Sequence, residues 1–194
     1  MKRIVTTLAA LAATALITGT DAEAQLAPPN EAGITWGHIH LNVTDIERHK
    51  QLWVDHFGGT LVVKGSLTTV RLPSTIIALR ERAPTGGSQG SGVDHFGFSV
   101  PDLQAFLEGW RQDGLEVENE FEGSGGTPQA YVTAPDGIRI ELQEVPSLRV
   151  PAEPYHVHIY TEGGAEELRD WYADLFSMVP RARGAIMNTA DVPG

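Results

Sequence analysis

Three times along this chain a short alternating strand with an early histidine runs into an amphipathic helix, and no other feature limits the fold as strongly. The first opening is Gly37-His38-Ile39-His40-Leu41-Asn42-Val43-Thr44-Asp45, where apolar and polar residues alternate as in a half-buried strand. Thr44 and Asp45 are good N-cap residues, and Ile46, Trp53 and Phe57 then line one helical face until Gly58-Gly59 ends it. The second opening is Val93-Asp94-His95-Phe96-Gly97-Phe98-Ser99-Val100-Pro101-Asp102. Leu103, Phe106, Leu107 and Trp110 follow it as a helical stripe that stops at Gly114. The third is Tyr155-His156-Val157-His158-Ile159-Tyr160, with Leu168, Trp171, Tyr172 and Leu175 at the same offsets. A strand and a helix cannot bury their apolar faces alone, so such units must pack on one another.

Three β-like runs follow each of the first two helices. They are Thr60–Lys64, Thr68–Leu72 and Thr75–Arg80, then Glu116–Glu120, Ala130–Ala134 and Ile138–Gln143. Pro135-Asp136-Gly137 between the last two is a hairpin signal. Each unit therefore reads strand–helix–strand–strand–strand, joined by Gly/Ser-rich residues 83–92 and Pro-rich residues 146–154. The expected fold is α+β, with paired βαβββ modules at 34–82 and 91–146 forming one domain over 34–146. A partial third module is expected at 151–194, with room for its helix and one or two strands. A half-sheet with an open edge is an aggregation hazard, so the sequence is expected to be a piece of a longer chain.

The amino terminus reads differently. Lys2 and Arg3 precede an apolar run from Ile4 to Gly19, and Ala22-Glu23-Ala24 offers a small-x-small cleavage site. The run is too short to span a bilayer comfortably, so residues 1–24 are expected to be a secretory signal peptide and the protein periplasmic or secreted. Its removal takes Lys2, Arg3, Asp21 and Glu23, two charges of each sign, and leaves the net charge at -11. An acidic chain repels phosphate backbones and anionic lipid, which argues against nucleic-acid or membrane partners once the signal is gone. There are no cysteines, so any metal must be held by histidine, carboxylate or water.

Counting back seven residues from Asp45 and from Asp102 reaches His38 and His95. Glu141 lies between Ile140 and Leu142, and strand alternation turns it to the opposite face from them. Two imidazoles and a carboxylate converging from three strands could hold a divalent metal such as Fe2+, Mn2+ or Zn2+ and leave positions open for substrate. His40 shares the face of His38 and is an alternative ligand. His156 matches His38 in register, but its own partners would lie beyond the sequence. Asp45, Asp102 and Asp136-Gly137 read as cap and turn residues, and His49 and His56 as solvated helix positions.

These openings, with Ile-Glu-Leu in the last strand of the second unit, resemble the vicinal-oxygen-chelate superfamily. That superfamily includes glyoxalase I, extradiol dioxygenases, methylmalonyl-CoA epimerase, fosfomycin-resistance proteins and metal-free bleomycin-binding proteins. The resemblance covers nearly all of residues 34–194. It implies two paired modules curving round a cleft, with His38 from the first module and His95 and Glu141 from the second as metal ligands. Ala78 stands in the first unit where a fourth ligand would be. A two-histidine, one-carboxylate set points to dioxygenase- or fosfomycin-type chemistry on a small molecule with adjacent oxygens rather than to glyoxalase I. Glutathione and coenzyme A are chiefly cytosolic, which weighs the same way for an exported protein. The alternative is a metal-free binding or sequestering protein of the bleomycin-resistance type, and the resemblance also allows a homodimer. N-terminal sequencing of protein from its native host should find Gln25 as the first residue; an intact Met1 in a cytosolic fraction would contradict export.

Overall fold

The computed structural model describes residues 29, 31–35, 37–183 and 187–192; the expected signal peptide at residues 1–24 lies outside them. The first unit comprises β1 (His38–Val43), α1 (Ile46–Asp55), β2 (Thr60–Lys64), β3 (Leu67–Arg71) and β4 (Ile76–Glu81). The second comprises β5 (Val93–Val100), α2 (Leu103–Gln112), β6 (Glu116–Glu122), β7 (Pro128–Ala134) and β8 (Ile138–Glu144). The third supplies β9 (Glu153–Ile159), α3 (Ala165–Phe176) and a hairpin of β10 (Val179–Arg183) and β11 (Met187–Asp191). The expected α+β architecture of βαβββ units is thus observed. Among the described residues no helix is long and apolar enough to cross a membrane.

Local chemistry explains the element ends. Asp45 and Asp102 cap α1 and α2, each accepting from the backbone N–H three residues on, Arg48 at 3.0 Å and Ala105 at 2.9 Å. Gly58, with φ of 67°, turns the chain out of α1. In each complete unit the helix carries the chain over the sheet, so the first strand lies parallel to the last, β1 beside β4 and β5 beside β8. The sheet orders are β1-β4-β3-β2 and β6-β7-β8-β5-β9.

Here the structure corrects an expectation about pairing. The second sheet is extended by β9 of the third unit, antiparallel to β5, while β1 borders only β4 and stays at the edge of the first sheet. The short connection through residues 145–152 explains this, because it returns the chain beside β5 directly after β8. The first two units meet instead through their helix-covered faces. Trp53 and Phe57 of the first unit pack on Phe98 of the second, at ring-centroid distances of 6.0 and 4.9 Å, and Phe57 reaches Phe106 at 5.3 Å. Val43, Ile77, Phe98, Trp110, Val132, Ile140 and Leu142 complete one continuous core that both units share. Truncating a buried aromatic such as Trp53 to alanine costs about 3–5 kcal/mol in cores of this kind.

His49 is corrected as well. It is fully buried, not solvated, and its Nε2 lies 3.0 Å from Asp136 Oδ2. Asp136 also accepts from the Thr44 backbone at 2.9 Å and from the Thr44 hydroxyl at 2.7 Å. It is therefore more than a hairpin residue: with φ of 63° it reaches from the β7–β8 turn to latch the start of α1. His56 is also mostly covered, with Nε2 2.9 Å from Asp113 on the neighbouring unit. Burial pulls the pKa of His49 below its ordinary value and outweighs the opposing carboxylate of Asp136. A neutral ring donating from Nε2 fits the surroundings, because Nδ1 is buried without a hydrogen-bond partner.

A histidine with a depressed folded pKa contributes stability fully above its unfolded value, near 6.5, and loses it as pH falls toward the folded value. Asp136 is also held low, its hydrogen bonds from Thr44 and His49 outweighing the upward pull of burial, so it adds a loss of the same sign at more acid pH. His49→Ala should cost about 1–3 kcal/mol through the stranded Asp136. It should also reduce the fall in urea-unfolding midpoint between about pH 7 and 5; an undiminished slope would show that His49 is not its source.

Candidate functional site

Alternation along β5 sorts its side chains into two sets. Phe96, Phe98 and Val100 enter the core beneath the helices, so His95, Gly97 and Ser99 face the other way. Ile140 and Leu142 of β8 are likewise in the core, which turns Arg139, Glu141 and Gln143 onto the face of His95. On β7, Ala130 and Val132 face inward and Tyr131 joins the same outer set. The register sets Glu141 beside Gly97 on one flank and His156 beside Gly97 on the other. The group therefore converges above a glycine. A Cβ at position 97 would collide with the rings of His156 and Tyr155. Glycine is what lets His156 lie back across the sheet.

Glu141 is the hub of this face. Its Oε2 lies 3.0 Å from His95 Nε2, 3.6 Å from His156 Nε2, and accepts from the Tyr131 hydroxyl at 2.8 Å. Its Oε1 accepts from the Tyr155 hydroxyl at 2.9 Å. Burial raises the Glu141 pKa, but the His95 hydrogen bond, the electrostatic pull of the neighbouring His156 ring in the acid range where both would titrate, and the two phenols outweigh it and bring it down to about 2. The carboxylate is consequently ionised at any ordinary pH. It in turn helps burial to push both phenols above their usual range, so Tyr131 and Tyr155 stay protonated donors.

His156 and His158 carry the complementary state. Burial, with Glu141 opposing and His95 and His158 assisting, lowers His156 to about 4. His158 is lowered by burial and by His95 against the pull of Asp94 and Glu141. Among the described residues His95, His156 and His158 form a group able to hold a metal ion, one ligand atom from each lying within 4.8 Å of the others. The nitrogens of His156 and His158, held neutral by burial beside an ionised carboxylate, suit a divalent cation, since a proton on the lone pair would exclude the metal.

His95 and Glu141 are thus brought together as the sequence pattern suggested, but His38 is not with them. It sits exposed on β1, in the other sheet, where its ring touches that of His40 at 4.7 Å. Ala78 pairs with His40 across β1 and β4, as Glu141 pairs with Gly97 in the second unit. The ring that joins His95 is His156. Its register match to His38 was visible in the sequence; the strand order that carries it to β5 was not. Tyr131 and Tyr155 were missed altogether. Tyr131 alternates with Ala130 and Val132 in the same way as Glu141 with its neighbours, which was a usable signal.

Tandem βαβββ units of the α+β kind, with a histidine–carboxylate group where two of them share a sheet, define the class of this protein. It belongs to the Glyoxalase/Bleomycin resistance protein/Dioxygenase superfamily, whose pattern matches residues 35–142. The fold is similar to that of glyoxalase I from Zea mays, with a TM-score of 0.61 and 19% identity. That similarity covers 74% of this chain and 55% of that one, so the chain spans only about half the length of the maize enzyme. A genomically encoded fosfomycin resistance protein from Listeria monocytogenes aligns at a TM-score of 0.49 and 17% identity, over 56% of this chain and 88% of its own. No curated protein matches the chain by sequence.

Replacing Gly97 by alanine should push the His156 ring off the sheet and into solvent. Its pKa should then rise from about 4 toward the ordinary 6.5, as followed by its ring resonances in an NMR pH titration. An unmoved titration would mean that the ring does not depend on the gap at Gly97.

Proposed function

We propose that this protein is a metal-dependent enzyme acting on a small molecule with two adjacent oxygens, and that His95, Glu141 and His156 hold its divalent ion. The observation that supports this most is the convergence of His95 Nε2 and His156 Nε2 on the ionised Glu141 Oε2, at 3.0 and 3.6 Å. Fe2+, Mn2+ and Zn2+ all suit such a nitrogen–oxygen set. A bound ion would act as a Lewis acid toward the paired substrate oxygens.

The chain's own residues supply the rest. Glu141 offsets part of the cation's charge, and Tyr155 and Tyr131 hold its two oxygens in place. His156, neutral down to about pH 4, presents a free lone pair. His158, 4.5 Å from the His95 ring, lines the same face and is available as a further ligand or a substrate contact. Ala78 had counted against glyoxalase I, but it lies on the first sheet and says nothing about this group. Export, as expected from residues 1–24, weighs instead: it would carry the protein away from cytosolic glutathione, so dioxygenase- or fosfomycin-resistance-like chemistry remains favoured.

One observation favours the alternative, a metal-free small-molecule binder. Both oxygens of Glu141 already have protein partners in His95, Tyr131 and Tyr155, so the site is satisfied without an ion. Metal titration of chelator-treated protein separates the two. The enzyme should bind about one Zn2+ or Mn2+ per chain, Glu141→Gln and His156→Ala should each weaken binding at least about tenfold, and His38→Ala should leave it unchanged. Absence of binding to wild type, or equal binding in all four proteins, would leave the metal-free binder as the better account.

A further inference from the structure

Strand β9 carries two histidines two residues apart, so His156 and His158 lie on one face and Val157 on the other. Two irregularities bound this stretch of its pairing with β5. Val93 pairs with Ile159 but His95 with His158, which leaves Asp94 as an extra residue of β5. Gly97 pairs with His156 but Phe98 with Pro154, which leaves Tyr155 as an extra residue of β9. Bulges of this kind interrupt a ladder only locally. Between them His156-Val157-His158 runs opposite Gly97-Phe96-His95 without a break.

Residues directly opposite each other in antiparallel strands hold their Cβ atoms about 4.5–5.5 Å apart. His158 is thus the direct cross-strand neighbour of His95. Their ring centroids are 4.5 Å apart, closer than the 5.2 Å between His95 and His156. One ligand atom from each of the three rings lies within 4.8 Å of the others. The histidines of this part of the fold differ in what already holds them. His49 and His56 each meet an aspartate, His95 meets Asp94 and Glu141, and His156 lies 3.6 Å from Glu141. Among the described residues His158 has no hydrogen-bonding partner in the protein, although it is half-buried on the face of Glu141.

We infer that His158 is a further ligand, so that three imidazoles and Glu141 hold the ion, and that the third imidazole makes the site select Zn2+ over Mn2+. The inference rests on the proposed reading of His95, Glu141 and His156 as the other ligands. Imidazole suits Zn2+, Cu2+, Fe2+ and Ni2+, whereas carboxylate, carbonyl and water suit Mn2+ and Mg2+. A third ring nitrogen shifts the donor set toward the first group. The margin of Zn2+ over Mn2+ is therefore wider than two imidazoles and a carboxylate would give. The unbroken ladder from His156 to His158 fixes that nitrogen at its distance from the other two rings.

The test uses the full chain with His38→Ala and His40→Ala as parent, so that the exposed pair on β1 takes up no metal. Loaded with an equimolar amount of Cu2+, the parent should show electron paramagnetic resonance coupling to three imidazole nitrogens, and His158→Ala coupling to two. In titrations of chelator-treated protein, His158→Ala should weaken Zn2+ binding at least about tenfold, the lower end of what losing an outer-shell partner costs. Mn2+ binding should fall less. His158→Gln keeps a polar side chain on the face but no imidazole; it should behave like the alanine variant, and it serves if that variant does not fold. Two coupled nitrogens in the parent, or a nitrogen count and Zn2+ affinity unchanged in both His158 variants, would overturn the inference. The ion would then stay with His95, Glu141 and His156, and His158 would be left as a substrate contact. An equal loss for Zn2+ and Mn2+ would overturn the selectivity. A parent that binds neither Zn2+ nor Cu2+ would overturn this inference together with the metal-site reading on which it rests.

Discussion

Strand β5 is enclosed on every side, and the rest of the molecule is arranged around that fact. One face carries Phe96, Phe98 and Val100 into the core beneath the helices, and the other carries His95, Gly97 and Ser99. Its two edges are occupied by β8 in parallel and β9 in antiparallel pairing. A strand whose hydrophobic face is so specified cannot slip by one residue without turning Phe96 and Phe98 outward and His95 into the core. The same packing that makes the core rigid therefore holds His95, Glu141 and His156 at fixed separations. Function on the outer face is positioned by hydrophobic burial on the inner one.

Electrostatics on that outer face divides the labour. Glu141 remains charged although buried, because two phenols and His95 satisfy it. His156 remains uncharged beside it, because burial outweighs the carboxylate. The outcome is a negative charge beside the neutral imidazoles of His156 and His158, on a chain of net charge -11 that itself attracts cations.

Much of this was legible from residue order. The alternation through Val93–Val100, the caps at Asp45 and Asp102 and the stripe Leu103, Phe106, Leu107, Trp110 are local signals, and they specified the βαβββ units and the outward face of Glu141. Which strand would border β5 is decided by packing between units, and β1 and β9 carry equivalent histidines at equivalent positions. Periodicity could not choose between them, so His38 was given the place that His156 occupies. His49 was misread for a related reason. A histidine on a helix looks solvated until a turn 87 residues away supplies Asp136 to bury it against. The bulges at Asp94 and Tyr155 left no mark in the pattern, since an extra residue in one strand exists only relative to its partner.

Residues 145–152 connect β8 to β9, and their number sets which residue of β9 lies opposite Gly97. A single inserted or deleted residue there could not be absorbed as an ordinary surface loop absorbs one. If β9 shifted with it, His156 would exchange faces with its neighbours and Glu141 would lose one imidazole, and Ala152, fully buried in the shared core, would be displaced as well. In evolutionary terms that connection should be among the least tolerant of length variation in the protein, despite being irregular. The joint at residues 83–92 is tied down at Ser88, whose hydroxyl accepts from the Arg139 backbone, and at Gly90, which donates to Asp94, and is freer to drift between them and β4. A segment without regular structure thus acts as the gauge that keeps two repeats in step.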